Sequence, residues 1–291
     1  MLQVDDAIEG ELIAAIDPWL AHMTWRKDYA AWRERRLHLE DYQQPYLRDI
    51  ESFAGVALRG GRVLDLGAGM GGLVVALAKA GLAVTAAEYN PAYCQIIALR
   101  GKRYGLRLPV ANAAGESLPF ADRSFSLITA WDTLEHVQDV PATLRELCRL
   151  LQPDGRALVT ITNRFGFRDP HYHLPLVNWL PRPLAEWYIR RKGRSKQASA
   201  VQFSDKQSLS EMHYYTYARF ARACQRAGFA AQDVGEARLR AGQSSGGGGL
   251  AQRLLPILRR LGLTLPAYRL YRFLFQGTHT ILLTPLAKDS F

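Results

Sequence analysis

The sequence predicts an α/β protein built on a doubly wound, mostly parallel sheet, with helices before it, two insertions and an antiparallel last strand. Three observations carry this. From residue 62 onward short apolar runs alternate with amphipathic stretches, the pattern of strands covered by helices. The first run ends in a cluster of glycines. A long irregular stretch, 164–213, rich in Pro, His, Tyr and Trp, then breaks the alternation before it resumes.

Taken in order, residues 5–55 read as helices, because apolar positions recur at three- and four-residue spacing, as in Trp25, Tyr29, Trp32 and Leu39, Tyr42, Tyr46, Ile50. RVLDLG is a strand, 70–80 a helix, AVTAAEY a strand, 91–104 a helix and LPVANA a strand. FSLITAW, the helix 140–151 and RALVTIT follow. After the irregular stretch come a helix at 216–227, a strand near 230–239, the linker QSSGGGGL, a basic amphipathic stretch over 250–275 limited by Pro256, and a last strand, HTILLTPL. This divides the chain into an N-terminal helical cap (1–56), a core (57–163, 214–240 and 276–291), an insertion (164–213) and a linker with its basic segment (241–275).

With 291 residues, 48% hydrophobic and 22% charged, the chain has enough apolar material for a sizeable core, which excludes disordered and fibrous classes. Cys94, Cys148 and Cys224 stand far apart with no CxxC pair, so neither a disulfide framework nor a metal is expected. The acidic opening MLQVDDAIEGEL is unlike a secretory leader, and no run approaches the ~20 apolar residues of a membrane span. A cytoplasmic protein is expected. Its net charge of +10 is concentrated: residues 182–206 carry seven basic side chains against two acids, and 253–272 carry five against none. The remainder balances. Two basic runs flanked by aromatics suit an anionic acceptor or the inner face of an anionic membrane.

Gly67, Gly69 and Gly72 satisfy GxGxxG after the first strand, and Glu88 ends the second. That pattern serves dinucleotides and other adenosyl ligands alike. Asp65 separates them. A carboxylate two residues before the first glycine would repel a pyrophosphate, whereas S-adenosylmethionine (SAM) brings an ammonium and a sulfonium to the same turn. Glu88 can accept both ribose hydroxyls in either case.

VLDLGAGMGG, AAEYNP, ESLPFADRSFSLITAWDTLEHV and LRELCRLLQPDGRALVTITN, in this order, resemble the class I SAM-dependent methyltransferases, in particular the branch of ubiquinone-biosynthesis and similar small-molecule enzymes. The resemblance covers residues 60–163 strongly and 213–240 and 276–286 loosely. It implies a Rossmann-like fold in which Asp65, Gly67 and Gly69 line the methionine part of SAM, Glu88 holds the ribose and Tyr89 packs on the adenine. Gly115 and Glu116 fall where the family binds the adenine edge. The acid usual two residues before that Glu is Ala114 here, so backbone groups or Asn112 would take its place. Trp131 and Asp132 stand at the lip of the fourth strand, where the methyl group meets its acceptor.

Methyl transfer is an in-line displacement, so placement supplies most of the catalysis and a base is needed only where the nucleophile must lose a proton. His171 and His173, in DPHYHLP, are candidates, and would face the same way on an extended backbone. His136, in LEHV, is the third. Tyr172, Tyr214 and Tyr215 are candidate walls of the acceptor pocket. The leading expectation is O-methylation of a small-molecule or lipid- or glycan-linked acceptor. An RNA methyltransferase, for which the polar-aromatic tetrapeptide after the fourth strand is missing, and a SAM-binding protein without turnover are the alternatives.

Overall fold

A computed structural model describes residues 6–55, 60–192, 207–243 and 256–287. Arg194, Lys196 and Lys206 of the first basic run, Arg253 of the second, and residues 244–250 of the Gly/Ser linker lie outside the described residues. Seven strands form one sheet: β1 (Arg62–Leu66), β2 (Ala83–Glu88), β3 (Val110–Asn112), β4 (Phe125–Ala130), β5 (Leu151–Thr162), β6 (Phe229–Asp233) and β7 (Thr278–Pro285), in the order β3-β2-β1-β4-β5-β7-β6. β1 to β5 run parallel, and β7 lies antiparallel between β5 and β6, with Val159 opposite Ile281 and Gln232 opposite Leu282. The sheet is the doubly wound, mostly parallel one the alternation predicts.

The central strands are apolar throughout because both faces are covered. Alternate side chains go to opposite sides. Leu64, Ile128, Val159 and Ile161 meet α6 (Val140–Leu150) and α8 (Tyr217–Arg226) through Leu144, Leu147 and Phe220. Val63, Leu127 and Leu158 meet α3 (Gln44–Ala54) and α4 (Gly72–Lys79) through Ile50, Val74 and Leu77. Helices start where the sequence supplies a cap. Asn90 accepts from the Ala92 N–H at 3.0 Å ahead of α5 (Pro91–Arg103), and Asp139 from the Ala142 N–H at 2.9 Å ahead of α6.

The same rule corrects one expectation. The strand expected over 230–239 stops at Asp233, whose carboxylate accepts from the Glu236 N–H at 2.7 Å and starts α9 (Val234–Arg240). Asp-x-x-Glu is a helix-start signal that outweighs the apolar alternation.

The first helices, α1 (Asp6–Leu20) and α2 (Tyr29–Leu37), pack on α5 through Leu12, Ile16, Leu37 and Ile96. Beneath that contact lies a buried charge network. Arg100, 0% exposed, donates to the Glu40 carboxylate at 2.6 Å and to the carbonyls of Arg36, Leu37 and Met70. Arg103 spans Glu9 and Glu40, and the Tyr104 hydroxyl donates to Glu40 at 2.7 Å. The cap therefore holds the glycine-rich turn through the Met70 carbonyl.

The stretch after β5 has its own small core, in which Val177, Leu209, Met212 and Tyr214 gather around Ala185 and Ile189 of α7 (Arg182–Lys192). In the basic tail, α10 (Thr264–Leu274) is anchored by its charges: Arg269 pairs with Glu236 at 2.7 Å, Arg272 reaches Asp233 at 3.3 Å, and the Tyr268 hydroxyl donates to Asp233 at 2.7 Å. Two of the tail's arginines are thus matched by acids of the sheet side and are not free charge.

Candidate active site

The five parallel strands end on one edge, and the strand order reverses between β1 and β4, the place where open α/β sheets take ligands. Asp65, Glu88 and Asn112 stand at or near the ends of β1, β2 and β3, with Trp131 just beyond β4 and Thr162 ending β5. The glycine-rich turn is folded onto this edge. Gly67 donates its N–H to the Ala87 carbonyl at 2.8 Å with φ of 67°, and a Cβ there would run into the Thr133 side chain. Gly69, at φ 55°, has open space where a Cβ would stand, and its N–H donates to Glu88 Oε2 at 2.8 Å. One glycine packs and the other keeps an open face.

Asp65 is 3% exposed and accepts from the Thr129 hydroxyl at 2.6 Å. Burial pushes its carboxyl up to about 7; the Thr129 bond opposes the rise and the charge of Glu88 adds to it. A buried carboxyl in that state is suited to a cationic ligand, which would favour the charged form. Glu88 accepts the N–H groups of Gly69 and Asn90, both at 2.8 Å, which fixes its carboxylate beside the open face of the turn. Tyr89 is 71% exposed, a bare ring at the mouth. Asn112 donates to the carbonyls of Glu88 and Tyr89 and so sets the course of that segment. The residues present fit an adenosyl sulfonium.

Other expected contacts are employed in the fold. Glu116 accepts the N–H groups of Gln138 and Asp139 at 2.6 and 3.0 Å, tying its loop to the start of α6, and Gly115 is buried against Thr143. Trp131 packs on Tyr46 of α3, ring centres 4.7 Å apart, with its buried Nε1 lacking a hydrogen-bond partner among the described residues.

On the acceptor side the structure brings together residues distant in sequence. Glu135, 1% exposed, accepts from the Thr162 hydroxyl at 3.1 Å and lies 3.4 Å from His171 Nε2. Burial works to raise its carboxyl, but His171 and His136 beside it hold it below the ordinary value, so it stays charged. The rings of His171 and His136 meet edge to face at 5.2 Å, and Tyr214 stacks on His171. His136 Nδ1 contacts Gln207 Oε1 at 2.7 Å while the Gln207 amide donates to the His136 carbonyl. Gln207 therefore places the His136 proton on Nδ1 and leaves Nε2 to accept. Glu135, His136 and His171 also offer ligand atoms within 4.8 Å of one another, a set able to hold a divalent ion.

The two histidines of DPHYHLP do not face the same way. The Asp169 carboxylate accepts the N–H groups of His171 and Tyr172 at 2.8 and 2.7 Å, and its carbonyl accepts that of His173, so the segment is a tight turn. His171 goes inward; His173, at φ 57°, is exposed. Asp169 also takes the Tyr214 hydroxyl at 2.9 Å, and burial together with that carboxylate pushes the phenol well above its ordinary value, so it remains a donor. Tyr172 is half-buried beside them, its hydroxyl donating to the Gln207 carbonyl. Tyr215 is placed elsewhere, packed on Phe220 in the core. Glu135, Asp169 and Gln207 were not singled out by sequence. Asp-Pro as a turn signal was available for Asp169; nothing local marks Gln207.

This arrangement suits a transferase: Asp65, Glu88 and the glycine turn offer a place for a nucleoside cofactor at the ends of β1 and β2, and a second cluster lies after β4 and β5. A family described as "Methyltransferase domain" matches residues 32–234, well over half of the chain. The chain belongs to that family, as a class I SAM-dependent methyltransferase whose cofactor is S-adenosyl-L-methionine. It is similar to a ubiquinone biosynthesis O-methyltransferase of Xanthomonas oryzae pv. oryzae, 34% identical over 112 residues, 38% of this chain and 47% of that one. It is also similar to a demethylmenaquinone methyltransferase of Tropheryma whipplei, 35% identical over 125 residues, 42% of this chain and 51% of that one. The matches span about half the length of these relatives. Among solved structures, phosphoethanolamine N-methyltransferase 2 of Haemonchus contortus superposes with a TM-score of 0.48 at 16% identity, covering 83% of this chain and 52% of that one.

The state of Asp65 gives a pH prediction. Below about pH 7 the free protein holds a proton there, and a sulfonium and ammonium alongside would expel it. SAM binding near pH 6 should release close to one proton and weaken as pH falls, by at most about tenfold per unit; near pH 8 the release should vanish. Calorimetry in buffers of different ionisation enthalpy measures this directly. Equal proton counts at both pH values would mean that Asp65 is already ionised.

Proposed function

We propose that the chain transfers the methyl group of SAM to a hydroxyl oxygen of a quinone-related small molecule, carried on a lipid or glycan and met at an anionic membrane surface; both relatives are named for quinone biosynthesis or a quinone, and the Xanthomonas one for O-methylation. The observation that carries the oxygen assignment is the buried Glu135 carboxylate against His171, on the same edge of the sheet as Asp65 and Glu88. An imidazole held by a carboxylate is suited to take a hydroxyl proton near neutral pH.

SAM supplies an electrophilic methyl group on a sulfonium. Asp65 and the Gly67–Gly69 turn receive its charged end, Glu88 the ribose, and the exposed Tyr89 ring the adenine. Glu135 faces His171 Nε2 and leaves Nδ1 to accept the acceptor's proton, while Tyr214 stacks on the ring and Asp169 holds both the His171 backbone N–H and the Tyr214 hydroxyl. Among the described residues no helix is long and apolar enough to cross a membrane, so the membrane part of the reading concerns surface contact.

The test is formation of S-adenosylhomocysteine with a panel of catechols, phenols and hydroquinones. Turnover is expected with at least one, and Glu88→Ala should weaken SAM binding by roughly 2–4 kcal/mol through the loss of two charge-assisted hydrogen bonds. Acceptance of amines alone would overturn the oxygen assignment, and unchanged SAM affinity would overturn the ribose role. A second reading rests on the ligand geometry of Glu135, His136 and His171: a divalent ion held there would orient acceptor oxygens. Turnover abolished by a chelator and restored by a metal selects it over the base.

A further inference from the structure

The helix α10 is amphipathic in the wrong sense for a helix that merely packs. Arg272 faces the protein, only 9% exposed beside Asp233 and Glu236, and Arg269, although exposed, is held by Glu236 at 2.7 Å. Several of its large apolar residues face out, with Leu270 60%, Tyr271 54% and Phe273 43% exposed, and Phe275, just past its end, is 53% exposed. A water-facing surface favours the opposite arrangement. The apolar face also has a second contributor. Phe165 packs between Trp179 and Phe273, at 5.5 and 5.1 Å, and Phe167 meets Phe275 at 6.2 Å. The Asn163 amide clamps the helix end by donating to the carbonyls of Arg272, Phe273 and Gln276.

We propose that this joined aromatic shelf, made by α10 and residues 165–179, docks on an anionic lipid bilayer and sets the acceptor side of the site against it. The charge beside the shelf selects lipid with negative headgroups. The insertion continues into α7, whose exposed Leu184 and Trp187 are followed by Arg190, Arg191 and Lys192, and the tail contributes exposed Arg259 and Arg260. Cations do stand over aromatic rings here, Arg164 over Phe165 and Arg191 over Trp187, each at 5.3 Å, a mixture that matches the boundary between headgroups and acyl chains. The turn that carries His171 lies in the chain between Phe167 and Trp179, so the segment that bears the proposed base also contributes to the shelf. The docking surface stands on its own residues; only its purpose rests on the proposed acceptor.

The experiment is co-sedimentation of the full chain with phosphatidylglycerol or phosphatidylcholine vesicles at low salt, alongside the triple variant Leu270→Ser, Tyr271→Ser and Phe275→Ser. These positions are exposed, and circular dichroism checks the fold. Wild type should sediment with the anionic vesicles and much less with the neutral ones, and the variant should lose roughly tenfold or more of its bound fraction. Equal sedimentation of variant and wild type would overturn the proposal. So would a wild-type dimer, seen by analytical ultracentrifugation, that the variant converts to monomer, because a second copy would then cover the shelf. Turnover on a water-soluble phenol should be the same in both proteins. Its absence counts against the methyl-transfer reading and leaves the vesicle result to stand.

Discussion

Replacing His171 by Ala should lower turnover by roughly 10²- to 10⁴-fold with no change in SAM affinity, the range expected when a general base is removed from a reaction that retains its positioning. The separation arises because His171 sits on the insertion after β5, whereas the proposed SAM contacts Asp65 and Glu88 stand at the ends of β1 and β2. Glu135→Gln is the companion experiment. It keeps the shape and the Thr162 contact but removes the charge facing Nε2, and should cost roughly tenfold in turnover while moving the acidic limb of the pH profile. Full activity of His171→Ala with the true acceptor would transfer the role to His136, whose Nε2 is left to accept.

Arg100→Met should destabilise the protein by roughly 3–5 kcal/mol, the cost of breaking a buried ion pair from one side. The guanidinium and the Glu40 side chain are both 0% exposed, and Met takes their side-chain donor from the Arg36 and Met70 carbonyls, while that of Leu37 keeps Arg103. Urea unfolding would read this as a lowered midpoint. Because one of those carbonyls belongs to Met70, in the glycine-rich turn, SAM binding should weaken as well. A loss of less than about 1 kcal/mol would mean that Arg103 and Tyr104 suffice for Glu40. Acid probes the same network. Burial opposes ionisation of Glu40, but Arg100, with Tyr104, keeps its carboxyl below the ordinary 4.5. The stability it supplies is therefore complete above about pH 4.5 and is lost as pH falls through the lower folded value.

The cofactor half was legible in the sequence because its signals are local. Strand periods, glycine spacing and the acids at Asp65 and Glu88 all lie within a few residues of what they determine. The acceptor half depends on pairings that no short window contains. His171 and His173 look equivalent until Asp169 curls the segment between them, and His171 acquires its meaning from Glu135, which reaches it only because β4 and β5 are neighbours. The basic tail misled for the same reason. Arg269 and Arg272 count as free charge by composition, but Asp233 and Glu236 wait for them after β6. Where a strand was expected to run to 239, a single carboxylate at Asp233 ended it.

The position of β7 has a consequence for how the protein is made. Among the described strands β6 joins the sheet through β7 alone, and β7 is translated after both the insertion and α10. While the ribosome is still producing those segments, β5 carries an open edge flanked by Leu158, Val159 and Ile161, and β6 has no strand to pair with. Contacts between residues so far apart, such as Ala157 with Leu283, form slowly because a long loop must close first. The nascent chain therefore passes through an interval in which a finished cofactor half carries an unfinished, adhesive flank.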